Sequence, residues 1–259
     1  MLDLVLLSPP DRISQNPSMY QPLSLFYLAS VVEKAGFIVE IIDCRENIKK
    51  LPDAKFYGFS CATPQINTAK EMAYKVKGQT KGQTIVGGAH ASMLPQDCVK
   101  HFDYVVVGEG EQTIIDILKG SVKKGIVQSQ RERNLDSIPY PAWDKLPNPF
   151  SETLFPGERY GKGELATTII GSRGCPMTPP CSFCANVHRT PVIFRSVNNI
   201  IGELKELADR GVTHVRFEDD CFTIHPQFER LCHELKQLKI KFKGHTRSDL
   251  LTPKRAELM

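Results

Sequence analysis

The sequence lacks any apolar run of the roughly 18 to 20 residues that a membrane-spanning helix needs, so no membrane span is expected. The N-terminus, MLDLVLLSPP, has neither a basic leading segment nor a small-residue cleavage site. It is typical of a buried strand rather than of a signal peptide. These two absences predict a protein of the cytoplasm.

Cysteine and net charge are both low. Eight cysteines in 259 residues are too few for a disulfide scaffold, and a chain of this length can bury cores without one. The net charge of +4 is spread over the chain in small lysine clusters, not gathered in a basic stripe with interleaved aromatic residues. Nucleic-acid binding is therefore not expected, and these clusters are interpreted as solvated faces.

The first 120 residues alternate short β-rich runs with helical stretches. Most of the runs are apolar throughout, as strands buried on both faces must be, and they lie at 2–7, 37–43, 55–61, 83–88 and 104–110. Helices are predicted at 23–36, 64–77 and 111–119. This alternation predicts an α/β unit with a parallel sheet and a ligand crevice at the carboxyl ends of its strands.

Small and polar residues follow four of these strands. They include Ser60 after the third strand, Gly87, Gly88 and His90 after the fourth, and Glu109 and Gly110 after the fifth. Glycine permits close approach of a ligand to the backbone, although the same glycines are also needed simply to reverse the chain. A dinucleotide fingerprint is not supported, because Thr113 stands where G-x-G-x-x-G requires its third glycine.

A proline-rich segment divides the chain. The predicted organisation is a Rossmann-like domain over 1–125, a linker over 126–164 and a second α/β domain over 165–259. In the second domain strands are expected at 165–172, 214–220 and 240–246, and helices at 196–211, 226–239 and 253–259. These make about three βα units, whereas a complete (βα)8 barrel takes about 250 residues.

Three cysteines lie together in the loop after the first of these strands. Cys175, Cys181 and Cys184 have the spacing C-x5-C-x2-C, without a fourth cysteine nearby. Three thiolates on a cubane cluster would leave one iron open to an external ligand. Zinc held with His188, a closed ferredoxin cluster using Cys221 and unligated buried thiols are the alternatives.

The order of these motifs resembles the radical S-adenosylmethionine (radical SAM) superfamily. An aromatic residue precedes the last cysteine in Cys181-Ser182-Phe183-Cys184, and βα repeats follow. The N-terminal half, with SPP, GGAHAS and VVGEGEQT, is similar to the cobalamin-binding-type domain of the B12-dependent branch. FEDDCFT and HTRSDLL match the second and third barrel strands of that branch.

The resemblance implies a flavodoxin-like doubly wound sheet followed by a partial radical SAM barrel. It implies a [4Fe-4S] cluster on the three cysteines, whose open iron binds S-adenosylmethionine (SAM) for cleavage to a 5′-deoxyadenosyl radical. The residues it places near SAM are Phe183, Glu218, Asp219, Asp220 and Arg247. Those it places near cobalamin, as a possible second cofactor, are Ser60, Gly87, Gly88, His90, Glu109 and Gly110.

The sequence departs from the family pattern in three ways. The first cysteine gap is two residues longer than the usual C-x3-C-x2-C, which costs little closure entropy. No histidine stands in the D-x-H-x-x-G context that supplies an axial ligand to cobalt, so cobalamin either binds without one or does not bind. The sequence ends within the third barrel helix, which predicts a truncated product, a split gene or closure by dimerisation.

The leading hypothesis is an enzyme that starts radical chemistry on an unidentified substrate, with a cobalamin-dependent methyl transfer or a rearrangement as the two reactions considered. It would require a reductant such as flavodoxin or ferredoxin. The alternatives are a non-catalytic assembly module with vestigial cofactor domains and a zinc-stabilised regulatory protein.

Overall fold

The computed structural model describes residues 1–11, 21–44, 50–152, 163–185 and 190–259. The chain divides into two compact units. The first contains most residues up to Glu132 together with Pro139–Pro147, and the second contains Arg133–Ile138 and the residues from Asn148 onward. The domain boundaries expected near residues 125 and 164 stay a prediction.

The first unit is a parallel sheet with its strands in the order β2-β1-β3-β4-β5-β6. The chain reverses its direction across the sheet at β1, which is the doubly wound arrangement with its ligand crevice at the strand ends. Along the chain the elements are β1 (Leu2–Ser8), α1 (Leu23–Lys34), β2 (Val39–Asp43), β3 (Ala54–Ser60), α2 (Ile66–Gln79), β4 (Gln83–Gly87), α3 (Ala89–Met93), α4 (Pro95–Cys98), β5 (Tyr104–Val107), α5 (Glu111–Leu118) and β6 (Gly125–Gln128). The predicted parallel α/β fold is confirmed.

The central strands form the core of this unit because their side chains are apolar on both faces. Residues 4–7 of β1 are at most 1% exposed, and Val86 and Val105 of β4 and β5 are completely buried. Tyr57 of β3 is also buried, and its hydroxyl donates to the Pro52 carbonyl at 2.6 Å. The parallel pairing of these buried strands places their carboxyl ends at one edge of the sheet, where the crevice lies.

Strand β6 and the short helices α3 and α4 were not predicted. β6 has four residues and forms the edge of the sheet, where its side chains are only partly buried. Such a short strand carries little apolar signal, so the region after α5 resembles a linker in sequence. The helices α3 and α4 are too short to show a helical repeat.

Trp143 fastens a later segment onto the first unit. Its ring is 3% exposed and lies 4.8 Å from the ring of Phe26 in α1. The backbone of Ala142 donates to the Phe26 carbonyl at 3.1 Å, and Lys145 forms an ion pair with Glu33. Residues 139–147 therefore form a strap across α1.

The second unit is built on a three-stranded parallel sheet in the order β7-β10-β11. Its elements are β7 (Leu165–Ile169), β8 (Ser172–Arg173), β9 (Ile193–Phe194), α6 (Val197–Asp209), β10 (Val212–Phe217), α7 (Phe228–Leu238), β11 (Lys241–Gly244) and α8 (Pro253–Leu258). Each sheet strand is followed by a helix, as in a barrel that is partly formed. The predicted partial barrel of three βα units is confirmed.

Aromatic side chains pack the helix-facing side of this sheet. Phe217 and Phe242 surround Phe222, with ring centroids 4.4 Å and 5.6 Å from it. Gly244 stands beside them, and an added Cβ would lie 2.9 Å from the Phe222 ring. Glycine at the end of β11 therefore allows the aromatic cluster to close against the strand.

The described part of the chain contains no helix that is both long and apolar enough to cross a membrane.

Candidate functional site

The crevice of the first unit is formed where the turns after β3 and β4 meet. The Cys61 backbone donates to the Gly87 carbonyl at 3.0 Å, and the His90 backbone donates to the Cys61 carbonyl at 3.1 Å. Gly88 has φ +92° and ψ −170°, a conformation that is essentially restricted to glycine. A Cβ at Gly88 would also lie 2.8 Å from the Cys61 nitrogen, so this glycine is required by the protein's own packing.

Other predicted crevice residues lie at the same edge. The Ser24 hydroxyl donates to the Ser60 hydroxyl at 3.0 Å, and this hydrogen bond is open to solvent. Gly87 has room for a side chain, whereas a Cβ at Gly110 would lie 3.2 Å from Leu28. Ser60 is therefore the predicted residue that offers a polar group at this edge.

His90 is held inside the unit. Its side chain is 4% exposed, Nδ1 lies 3.2 Å from the Thr63 hydroxyl, and Nε2 lies 2.9 Å from Asp97 Oδ2. Lys70 donates to the same Asp97 oxygen at 2.7 Å. In this arrangement both ring nitrogens are occupied by protein groups, so neither is presented to a cobalt ion.

His90, Asp97 and Cys98 form a group of potential metal ligands among the described residues, with their ligand atoms within 4.8 Å of one another. The Lys70 ammonium already neutralises Asp97, and the hydrogen bonds lower the pKa of that carboxyl. Burial raises the pKa of the Cys98 thiol to about 11, which disfavours the thiolate that a metal requires. We therefore interpret the group as structural: the hydrogen bonds of His90 and Asp97 stabilise the turn after β4.

Glu109 also has protein partners. Its carboxylate accepts hydrogen bonds from Arg131 Nε at 3.1 Å and from the Glu132 backbone at 3.0 Å. It therefore fixes the segment after β6 to the turn after β5, a contact that sequence spacing could not indicate.

The cysteine loop lies in the second unit between β8 and β9. These two short strands pair antiparallel, Ser172 opposite Phe194 and Arg173 opposite Ile193, and they close the base of the loop. Cys175 and Cys181 are partly buried and Cys184 is exposed, so all three are accessible. The Cys184 backbone donates to the Cys181 carbonyl at 3.0 Å, which brings the last two cysteines into one turn.

The three cysteines distinguish a cluster from a single ion by the number of ligands they offer. A structural zinc ion takes four protein ligands, whereas a cubane on three thiolates leaves one iron open to an external ligand. His188, the fourth ligand of the zinc alternative, lies outside the described residues.

Phe183 and Arg247 lie in and beside the loop. The Phe183 side chain is 89% exposed, which leaves an apolar ring uncovered next to Cys184. Arg247 follows β11, donates to both oxygens of Asp249 at 2.9 and 2.7 Å, and contacts Met177 of the loop. The hydrogen bond with the Asp249 carboxylate raises the pKa of Arg247, and negative charge on Cys175 and Cys181 acts in the same direction. The contact with Met177 places the guanidinium beside the cysteine loop.

The acidic trio after β10 does not act as one group. Glu218 and Asp220 are exposed, whereas Asp219 is 2% exposed. Asp219 accepts hydrogen bonds from the Gly171 backbone at 2.7 Å and from the Ser172 hydroxyl at 2.6 Å. Because both of its oxygens bind protein groups, the expected contact of Asp219 with SAM does not fit this arrangement.

Two family models match the chain. The B12 binding domain matches residues 15–118, and the radical SAM superfamily matches residues 169–259. The chain thus carries a B12-binding domain followed by a radical SAM domain, which is the domain order of the B12-dependent branch of the radical SAM superfamily. The resemblance predicted from the sequence is therefore confirmed. The first match lies on the doubly wound sheet, and the second covers the cysteine loop of the radical SAM domain.

Two curated relatives are methyltransferases by name. Bacteriochlorophyllide d C-12(1)-methyltransferase of Chlorobaculum tepidum is 26% identical over 271 residues, covering 98% of this chain and 57% of the relative. Cytidylyl-2-hydroxyethylphosphonate methyltransferase of Streptomyces wedmorensis is 25% identical, covering 85% of this chain and 55% of the relative. The chain thus spans a little over half the length of these curated relatives.

Solved structures share the fold. The radical SAM methyltransferase TsrM from Kitasatospora setae, solved with cobalamin and a [4Fe-4S] cluster bound, has a TM-score of 0.64 and 18% identity, over 92% of this chain and 51% of its own. The cobalamin-dependent radical SAM enzyme OxsB has a TM-score of 0.70 and 18% identity, over 100% of this chain and 42% of its own. These likenesses support the fold of both units.

We predict that Asp219 makes the radical SAM domain less stable as pH rises from about 4 to 6. Burial raises the pKa of Asp219 from 3.8 to about 6, against the hydrogen bonds from Ser172 and Gly171. In this window the folded state keeps a proton that the unfolded chain has released, so the free energy of unfolding falls by up to about 3 kcal/mol. Urea unfolding at several pH values should show this fall in the wild type and not in Asp219→Asn. Equal slopes for both proteins would contradict it.

Proposed function

We propose that this chain binds a [4Fe-4S] cluster, SAM and cobalamin and serves in radical SAM methyl transfer. The observation that carries the proposal is the presence, on one chain, of a B12-binding domain and a radical SAM domain with three accessible thiols in one loop. When bound, the cluster supplies an electron for the reductive cleavage of SAM, and cobalamin supplies a methyl carrier.

Cys175, Cys181 and Cys184 would hold the cluster. Their loop offers three soft ligands at the carboxyl end of β7, where βα folds carry their chemistry. The closed ferredoxin alternative is less well supported, because Cys221 is 1% exposed and lies after another strand.

Phe183, Glu218, Asp220 and Arg247 would surround SAM. The exposed ring of Phe183 is suited to an apolar or aromatic part of the ligand, and its backbone would face the adenine. Exposed carboxylates at Glu218 and Asp220 are suited to the ammonium group, and Glu218 also pairs with Arg216 at 3.2 Å. The Arg247 guanidinium, held beside the cysteines, is suited to the carboxylate.

The turns after β3, β4 and β5 would bind cobalamin. Ser60 offers a hydroxyl at this edge, and Gly87, Gly88 and Gly110 keep the backbone free of side chains. His90 and Glu109 would act indirectly, because their hydrogen bonds to Asp97 and Arg131 would hold these turns in place. Cobalamin would then bind without a histidine from this edge on cobalt.

The named relatives support methyl transfer over a rearrangement, since two of them share that activity in their names although their substrates differ. They also favour an enzyme over an assembly module or a zinc-stabilised regulator. The substrate is not implied by this comparison. A reductant such as flavodoxin or ferredoxin would supply the electron.

The test is anaerobic reconstitution of the 259-residue chain with iron, sulfide and cobalamin. We expect about four irons per chain, an EPR signal of the reduced cluster that changes when SAM is added, and 5′-deoxyadenosine formed under dithionite. Cobalamin should bind in a separate titration followed by its visible absorption.

Each outcome separates the alternatives. A colourless protein that retains only zinc would support the regulatory alternative. An intact cluster without SAM cleavage, even with reductant in excess, would favour the assembly module. Cluster formation without cobalamin binding would limit the proposal to the radical SAM domain.

A further inference from the structure

The segment Ile170, Gly171 and Ser172 runs from the end of β7 into the first residue of β8 and leads to the cysteine loop. Its polar atoms are bound to parts of the second unit that are distant in sequence. The Gly171 backbone and the Ser172 hydroxyl donate to the two oxygens of Asp219, at 2.7 and 2.6 Å. Asp219 follows β10, so these bonds join the loop entrance to the neighbouring strand. A Cβ at Gly171 would lie 3.2 Å from Asp219 Oδ2, which shows how closely the two segments approach.

Arg195 binds the same three-residue segment from the other end of the loop. It directly follows β9, and its Nη1 donates to the Ile170 carbonyl at 2.8 Å while its backbone donates to the Gly171 carbonyl at 2.9 Å. The guanidinium also pairs with Glu203 of α6 at 2.6 Å, and both side chains are at most 4% exposed. Arg195 thus ties the exit of the loop to its entrance.

These contacts act with the β8–β9 pairing to close the base of the loop. The cysteine loop therefore begins after β8 and ends before β9, and the hydrogen-bonded pair of these two strands forms its base. Within the described part of the loop, the Cys184 backbone donates to the Cys181 carbonyl and Met177 contacts Arg247. The base adds to these contacts by fixing where the loop begins and ends.

We propose that Asp219 and Arg195 are positioning residues that set the direction in which the cysteine loop leaves β7 and hold its thiolates in place for the cluster. This inference rests on the proposed cluster function. It gives Asp219, the middle acidic residue of FEDD, a role within the protein, whereas Glu218 and Asp220 are exposed. Burial supports the assignment, because a buried carboxylate with two donors is costly to redirect.

The test compares Asp219→Ala with the wild type in two measurements on the whole chain. In the first, the reconstituted protein is exposed to an iron chelator under argon, and the rate of iron loss is recorded. In the second, amide hydrogen exchange is followed in the metal-free protein over residues 171–185. The variant leaves two buried donors without their acceptor, so we expect iron loss and exchange in this segment to accelerate by about tenfold or more.

Four further variants separate positioning from a general loss of stability. Leu235→Ala removes a completely buried side chain from α7 of the same unit and should leave loop exchange unchanged. Asp103→Ala is the corresponding control in the first unit. It removes a carboxylate that accepts hydrogen bonds from the Thr84 backbone and from the Thr84 hydroxyl, both at 2.9 Å. If Asp219→Ala does not fold, Asp219→Asn, which keeps one acceptor, and Ser172→Ala replace it and should give intermediate rates.

The outcomes decide the inference separately from the proposed function. Faster iron loss and faster exchange confined to the Asp219 and Ser172 variants would support it. Rates equal to those of the wild type, or equal acceleration in Leu235→Ala, would overturn it. If the wild type forms no cluster, the proposed function fails, and the exchange measurement on metal-free protein still decides whether Asp219 holds the loop.

Discussion

Replacing Cys184 by alanine is expected to abolish SAM cleavage and to reduce bound iron from about four atoms per chain to less than one. Cys184 belongs to a set of three thiols with no fourth cysteine in the loop, so two ligands would remain for a cubane. Cys175→Ala and Cys181→Ala should behave in the same way. The measurements are iron and sulfide analysis after anaerobic reconstitution and 5′-deoxyadenosine formation under dithionite.

Cys232→Ala is the matched control for this prediction. Cys232 lies in α7 of the same unit, is 3% exposed, and has a pKa raised to about 11 by burial. It is therefore not expected to bind iron, and its variant should keep the full cluster. Retention of four irons by Cys184→Ala would contradict the assignment of this cysteine. Equal iron loss in all four variants would indicate non-specific damage instead.

Gly88→Ala is expected to destabilise the first unit by about 3 kcal/mol or more and to prevent tight binding of cobalamin. Its backbone lies in a region that costs other residues roughly 1 to 3 kcal/mol, and the new Cβ would meet the Cys61 backbone at 2.8 Å. The turns after β3 and β4 would have to separate. Unfolding in urea can be followed by the fluorescence of Trp143, which is buried in this unit.

Gly120→Ala provides the control for conformational strain alone. Gly120 also has a positive φ of +71°, but an added Cβ would meet no atom within 4 Å. Its variant should cost only about 1 kcal/mol and leave cobalamin binding intact. If both variants lose the same stability and both bind cobalamin, the close approach of the two turns is not important for the crevice.

The strands of both units could be predicted from sequence because their signal is local. Residues 4–7 of β1 and all four residues of β5 are apolar, as in strands buried on both faces. Helix α6 likewise begins after Ser196, whose side chain accepts from the Asn199 backbone. Besides the missed strand β6, the sequence did not indicate the break between β7 and β8. One strand over 165–172 was expected, but β7 ends at Ile169, because Ile170 and Gly171 bind Arg195 and Asp219 instead of continuing the sheet.

The candidate site could be predicted only in part. The three cysteines were identified because their spacing is itself the signal, and the order of motifs led to the family. Asp219 could not be distinguished from Glu218 and Asp220, since three adjacent carboxylates look alike in sequence and only burial separates them. In the same way, the Asp97 and Thr63 partners of His90 lie at other positions in the chain and become visible only in the fold.

The strap at residues 139–147 determines where the chain can be cut. It belongs to the first unit, although residues 133–138 before it belong to the second. A fragment ending at Glu132 would lose Trp143 and expose Phe26 of α1, so it would tend to aggregate when expressed alone. Isolation of the B12-binding domain for spectroscopy should therefore use a fragment that extends at least to Pro147.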